Sequence, residues 1–497
     1  MNRYLLTATI VVVCAVSALY LMRPVSDPDF FWHLKTGQWI WENGQLPEQD
    51  PFSFTTPSSP DQRGLFILKS YWLGQLLYYA HYSLGGMSGI IWMRAWLVAL
   101  LVFVLLKRRT GDLLLYLWLL VLFLVSMLEV YPVERPQAFS FVFFALLLYI
   151  LEHIRKGSPA VNPAGALTAL PLLMLVWANT HGGFIIGQIT IGLYLAAEGL
   201  KFVRPSLRPL NRTIYKRLFI AGVAGLVLSL ANPDTYHVME ILRLPSYAKY
   251  LNTDYMSTIK ALADFRDYSV LLDWFVMLLA LAGLLVNAGR VNITEVLLLG
   301  GTGYAAFTQV RYVPFFLIAA IPAISRAFEK KRLPVWLKAL LIAMIAAAAV
   351  FFVRDEVSNT RNLLSGRWID EKRYPVKAAD YVLARNLRGN MYNHYDWGGY
   401  LIWRLGPGRK VFIDGRDIDE ATFWKAMSIN IAYTDNSGRP YWKSILESYH
   451  ISYLIVPIHE AAGNRLQLVS ALAKDSDWTL AFSDANSVVF LKKDPGK

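Results

Sequence analysis

The sequence predicts a polytopic α-helical membrane protein of about 11 transmembrane helices, followed by a small C-terminal mixed α/β domain outside the membrane. Three observations carry this expectation. Of 497 residues, 55% are hydrophobic and 17% are charged, with a mean hydropathy of +0.36, whereas an ordinary soluble protein carries about 25% charge. Aromatic residues reach 14%, with 16 Trp, and such rings settle at headgroup depth in membrane interfaces. After Phe352 the composition turns to that of a soluble domain. A purely cytosolic enzyme is excluded by this composition. The single cysteine, Cys14, cannot form an intramolecular disulfide, has no zinc-ligand spacing around it, and follows Val13 where a lipobox needs a small residue.

Apolar runs fall at residues 4–22, 88–106, 113–131, 137–154, 166–178, 184–200, 217–231, 271–287, 293–309, 311–326 and 335–353. The first could instead be a cleaved signal peptide, with small residues at Ala15 to Ala18, but its apolar run continues to Met22, so a retained span is expected. The intervening basic residues decide sidedness. If all eleven runs cross, alternate loops carry Lys107 to Arg109; Arg155 and Lys156; Lys201, Arg204, Arg208, Arg212, Lys216 and Arg217; Arg290; and Arg326, Lys330, Lys331 and Arg332. The positive-inside rule makes these loops cytoplasmic, together with Asn2 and Arg3. Residues 23–87, 132–136, 179–183, 232–270 and the tail after Val353 are then exported. Tyr71 to Leu84 is apolar enough to be a twelfth span, but counting it would move the Lys107 cluster outside, so it is expected as a helix on the outer surface.

The division is therefore 1–353 as the membrane domain, with 23–87 as its first outer loop, and 354–497 as the extracytoplasmic domain. The net charge of +13 does not mark a nucleic-acid partner. From Arg354 onward 20 basic residues face 17 acidic ones, so +10 of the charge precedes it, mostly in short loops between spans. In the tail, strands are expected at Gly389 to Tyr392, Tyr400 to Arg404, Lys410 to Ile413 and Tyr453 to Val456, with a hairpin from Trp478 to Leu491 turning at Asp484 to Asn486. Helices are expected at Pro375 to Leu387 and Tyr441 to Ser448.

The first outer loop opens with Ser26-Asp27-Pro28-Asp29-Phe30-Phe31-Trp32-His33-Leu34-Lys35. An Asp-x-Asp pair can chelate a divalent cation, magnesium or manganese, through carboxylate oxygens, and a single Asp in a partly desolvated pocket can take a proton from an attacking hydroxyl. The alternative is a turn at Asp27-Pro28 with Asp29 capping the following helix.

The loop continues through Asp50-Pro51-Phe52-Ser53 to Tyr71-Trp72-Leu73. Later come Glu134-Arg135-Pro136-Gln137, Trp177-Ala178-Asn179-Thr180-His181-Gly182-Gly183, Ala231-Asn232-Pro233, Arg311-Tyr312-Val313-Pro314, Asp396-Trp397-Gly398-Gly399-Tyr400 and Phe412-Ile413-Asp414-Gly415-Arg416. In order and sidedness this set resembles a bacterial branch of the GT-C-type integral membrane glycosyltransferases, related in architecture to oligosaccharyl-, mannosyl- and aminoarabinose transferases. Phe31 stands where such a chain is expected to carry Trp. The resemblance implies transfer of a sugar from a polyprenyl-phosphate carrier, on the outer face of the cytoplasmic membrane, to a protein, glycan or lipid acceptor. An acidic residue of the first outer loop is the implied base or metal ligand, and Asp27 and Asp29 match that position.

The polar constellations of the short loops share Asp29's expected side. Arg135, His181, Arg311 and Lys35 are candidate ligands of the donor phosphate, since an Arg fork matches phosphate oxygens and an interfacial cation is costly unless paired. His33, Asp50 and Glu134 are supporting candidates. The alternatives are Glu134–Arg135 or Asp50–Arg311 ion pairs that fix loop packing, and a His181 that hydrogen-bonds its own turn. Arg94, near the outer end of its span, reads equally well as a snorkelling side chain. Asp396, Asp414 and Arg416, with His394 and Asp417 nearby, are acceptor-side candidates, although Asp414-Gly415 also reads as a plain turn. No Gly-rich nucleotide loop is present, which favours a lipid-linked donor. A transporter or a non-catalytic assembly factor for envelope polysaccharide are the competing functions. The paired broken helices and related halves of a transporter are not seen in the sequence.

Overall fold

The computed structural model describes residues 3–493 apart from 21, 131–133, 157–162, 208, 236, 238–254, 287–291, 330–332 and 461–462. The chain divides into two compact units, one of residues 1–23 with 88–366, the other of residues 24–87 with 367–497.

The first unit is helical, and each of the eleven apolar runs overlaps a helix. Four helices are long and apolar enough to cross a membrane among the described residues: Gly64–Lys107, Gln137–Arg155, Val310–Ala327 and Val335–Leu364. Helix Val313–Ala327 is the hub. It is buried along almost its whole length and packs against Leu113–Val130, Gln137–Lys156, Val270–Val286 and Ile293–Thr308. Helix Val335–Leu364 runs eleven residues past Val353 and has the opposite character, with 6% of its apolar window buried. Phe351, Val350 and Leu278 are more than half exposed, and apolar surface of this extent is stable against lipid rather than water. This is a multi-pass membrane protein.

Several basic residues read as markers of the cytoplasmic side are built into the bundle. Arg108 is buried and donates to Glu152 Oε1 at 2.7 Å and to the Ile318 carbonyl at 2.7 Å. Lys201 pairs with Glu198 at 2.6 Å, and Arg326 with Glu295 at 2.6 Å. Arg208, Arg290, Lys330, Lys331 and Arg332 lie outside the described residues, as do residues 236 and 238–254 of the expected outer segment 232–270.

Helix Trp72–Lys107 is interrupted at Gly86, whose φ of 59° and ψ of −144° are open to glycine and strained for other residues. The break falls at the unit boundary, so the turns around Tyr71 to Leu84 are helical and belong to the second unit while the span that follows belongs to the first.

The second unit is built on a four-stranded sheet in the order β1-β2-β4-β3. Strands β1 (Asn390–Asn393) and β2 (Ile451–Pro457) are parallel, and β4 (Ser487–Lys492) is antiparallel to both β2 and β3 (Trp478–Ser483). The hairpin turns where expected, because the Asp484 carboxylate accepts from the backbone N–H groups of Asn486 and Ser487. Helices form at Val376–Ala384 and Tyr441–Ser448, within the expected ranges.

Two expected strands are corrected. Tyr400 to Arg404 is helical, within Gly398–Leu405, and that helix packs against Phe30–Asn43. Its run Tyr400-Leu401-Ile402 is apolar because the helix is buried on most of its circumference, and a short apolar run alone does not separate a buried helix from a strand. Lys410 to Ile413 joins no sheet. Val411 and Phe52 share a backbone hydrogen bond of 2.9 Å, and the β1 side is met by the Asn393 side chain, which accepts from Phe412 N at 2.8 Å and donates to the Ile413 carbonyl at 2.7 Å. Those backbone groups are taken, so no ladder forms.

Candidate functional site

Asp29 stands at the start of helix Phe30–Asn43, half-buried, and makes no capping hydrogen bond with its side chain. The capping reading of this residue is thereby corrected. The turn is held by its neighbour: Asp27 is fully buried, and its Oδ1 accepts from Asp29 N–H at 2.9 Å. In the sequence Asp-Pro-Asp the first carboxylate thus fixes the backbone at the second.

The glycine motifs of the tail are explained by what they approach. A Cβ at Gly399 would lie 2.4 Å from the Pro28 carbonyl oxygen, and one at Gly398 would lie 2.2 Å from that of Ile413. At Gly415 a Cβ would stand 2.1 Å from Asp29 Oδ1, so only glycine leaves the carboxylate its place. Tyr395 and Asp417 complete the surroundings. Tyr395 donates its hydroxyl proton to Asp417 Oδ2 at 2.9 Å. Burial, and then the negative charges of Asp417 and Asp29, hold that phenol well above its ordinary pKa, so it remains a donor. Asp417 adopts φ 52°, a left-handed conformation that Asp tolerates better than most residues. Sequence reading passed over Tyr395, whose only signal is its place between His394 and Asp396.

Other expected site residues serve the frame. Asp50 accepts both forks of Arg416, at 2.7 and 2.9 Å, and Asp414 accepts Arg416 Nε at 2.7 Å; all three are buried. Asp414 and Arg416, expected on an open acceptor cleft, are therefore enclosed in an ion network, and Asp50 is joined to Arg416 rather than Arg311. His33 is buried against Trp32 with its Nδ1 3.2 Å from Gln75 Nε2. Lys35 donates to Gln38 Oε1 at 3.0 Å, and burial lowers its pKa, partly opposed by Glu42. Asp396 remains largely exposed, 3.8 Å from His394 Nδ1.

The first unit carries the other cluster. His181 follows helix Pro163–Thr180 and its Nδ1 lies 3.0 Å from Gly183 N and 2.8 Å from Ser140 Oγ. A backbone N–H can only donate, so Nδ1 is the acceptor and the ring proton sits on Nε2. Ser140 in turn accepts from Trp177 Nε1 at 2.7 Å, which aims its own proton at His181. Burial, then the positive charges of Arg311 and Arg135, push His181 down to about 3, so it is neutral at pH 7. Arg311 lies over the Tyr255 ring, 4.6 Å from its centroid. The structure thus brings His181, Arg135 and Arg311 into one electrostatic neighbourhood. Glu134 pairs with Arg94, which also donates to the Arg23 carbonyl. Arg94 is 1% exposed, so the snorkelling reading is corrected: it is a buried partner rather than a side chain reaching for water.

Among the described residues no group of three His, Cys, Asp or Glu side chains is arranged to hold a metal ion.

No protein-family model and no curated protein matches the sequence, whereas solved structures do match. The chain is similar to the archaeal oligosaccharyltransferase AglB from Archaeoglobus fulgidus in complex with an inhibitory peptide and a dolichol-phosphate, with a TM-score of 0.54 and 10% identity over 91% of this chain and 69% of that one. The apo form of the Archaeoglobus fulgidus oligosaccharyltransferase gives 0.51 and 11%, over 92% and 70%. The arabinofuranosyltransferase AftD from Mycobacteria gives 0.57 and 14% over 99% of this chain, which spans 42% of that longer one. At such identities the likeness is one of fold, and the fold is that of the GT-C glycosyltransferases that the motifs resemble.

Proposed function

We propose that this chain, with its GT-C fold, is a glycosyltransferase that moves a sugar from a polyprenyl-phosphate-linked donor to an acceptor hydroxyl on the outer face of the bacterial cytoplasmic membrane, inverting the anomeric carbon. The observation that carries the reading is Asp29, a half-buried carboxylate at the start of helix Phe30–Asn43, with Gly415 kept against it and a protonated tyrosine nearby. Asp29 takes the acceptor's proton as the hydroxyl oxygen attacks the anomeric carbon. The bond from that carbon to the phosphate oxygen breaks with its electron pair, and polyprenyl phosphate leaves. Arg135, Arg311 and the Nε2–H of His181 meet the charge that grows on the phosphate, where preorganised donors gain most in the transition state. AglB was solved with a dolichol-phosphate, which supports a lipid phosphate as the leaving group. Asp27 acts by holding the loop through its bond from Asp29 N–H.

The test of the donor is binding of a polyprenyl phosphate to purified protein, with the neutral polyprenol as control. Arg135→Ala and Arg311→Ala should each weaken phosphate binding by about 1.5 to 3 kcal/mol, the contribution of a charge-assisted hydrogen bond. His181→Ala should weaken it less, since a neutral imidazole donates one bond. An unchanged preference for phosphate over alcohol in both Arg variants would return these residues to packing.

Sidedness follows from the basic loops. Reporter fusions after Arg204 and after Asp484 should lie on opposite faces, cytoplasmic and periplasmic or extracellular respectively. The same face at both positions would overturn the topology.

A further inference from the structure

The second unit contains a cavity of about 620 Å³, within the size range of small-molecule sites. It lies beyond the carboxyl ends of the parallel strands β1 and β2: His394 directly follows β1, and Pro457 to Glu460 follow β2. Ligands of α/β sheets bind at that end, where loops diverge and backbone groups are left for a guest. Ser26 and Pro28 of the first loop form part of the wall, so the residue before Asp29 faces this space.

The lining chemistry selects a class of ligand. Two carboxylates, Asp396 and Glu460, are matched by Lys372 and Arg373. The formal charges cancel, which disfavours both a phosphate and a polycation, while each carboxylate can accept from hydroxyl groups and each cation can donate to them. Trp397 supplies an apolar wall, its ring fixed by a 2.9 Å hydrogen bond from Nε1 to the Arg373 carbonyl. His394 Nδ1 is buried on this wall with no hydrogen-bond partner among the described residues, and a buried polar atom in that condition calls for a partner from outside the chain.

We propose that this cavity binds a neutral glycan, one to a few sugar residues of the acceptor chain, through hydroxyl contacts to Asp396, Glu460 and His394. The proposal rests on the glycosyl-transfer reading and deepens it, making the acceptor a saccharide rather than a peptide. It brings an acceptor hydroxyl to the side of the loop that carries Asp29.

The test is an array of neutral oligosaccharides, phosphorylated oligosaccharides and short peptides, probed with the full-length protein in detergent. Wild type should select neutral oligosaccharides. Asp396→Asn with Glu460→Gln should weaken that binding by roughly 10-fold or more, as removal of charge-assisted hydrogen bonds does, and each single variant should lose part of it. Both side chains are exposed enough for the variants to fold, which a melting curve checks. Asp29→Asn should still bind the glycan while losing transfer. Absence of glycan binding by wild type, equal binding by the double variant, or a preference for peptides or phosphorylated glycans would overturn the proposal. Failure of wild type to release polyprenyl phosphate from any donor, with glycan binding intact, would overturn the transferase reading and leave a glycan-binding site.

Discussion

Asp29→Asn should abolish sugar transfer while the amount of folded protein stays nearly unchanged. Amide for carboxylate preserves shape and volume, so the folded state loses little. Proton abstraction from the acceptor is lost entirely, and general base catalysis contributes roughly 10²- to 10⁴-fold in rate. The check is release of polyprenyl phosphate, with transfer to an acceptor measured in parallel. A companion variant sharpens the result. Gly415→Ala must displace the Asp29 carboxylate, because its Cβ would fall 2.1 Å from Oδ1, and it should lower transfer without altering Asp29 itself. Wild-type turnover in the Asp29→Asn protein would leave this carboxylate without a catalytic role.

Arg416→Ala should have the largest effect on stability. Burial by itself would depress the Arg416 pKa, but Asp414 and Asp50 more than offset it and hold the guanidinium more firmly charged than usual. Removing the cation strands two buried carboxylates, and breaking a buried pair costs about 3 to 5 kcal/mol. The expected outcome is a lower melting temperature or a loss of folded protein. Asp50→Asn with Arg416→Met should recover part of the loss, since it removes one of the two stranded charges and leaves Asp414. A melting curve for Arg416→Ala equal to wild type would mean that the network contributes nothing to folding.

These two variants separate residues that looked alike in sequence. Asp27, Asp29, Asp50 and Asp414 are all carboxylates in short loop motifs beside aromatic residues. Asp27 accepts from Asp29 N–H, and Asp50 and Asp414 accept from Arg416. Their distinction depends on which partner lies across the fold: Asp50 and Arg416 are 366 positions apart in sequence, and no local pattern announces such a pair. The same is true of Arg94 and Glu134, 40 positions apart.

The sequence by itself determined where the helices of the membrane unit lie, because a run of apolar residues has one stable solution in lipid, a helix that satisfies its own backbone. It also determined the hairpin at Asp484, since turn chemistry is a local property, and it carried the resemblance to the GT-C-type transferases. The tertiary structure alone decided the rest. Tyr400 to Arg404 became a helix buried against Phe30–Asn43, and Lys410 to Ile413 stayed out of the sheet because Asn393 and the first loop take its backbone groups. Asp29, finally, was distinguished from its neighbours by Tyr395 and Gly415, 366 and 386 positions away along the chain. A side chain's chemistry is written at its own position, but its availability depends on what the fold places against it.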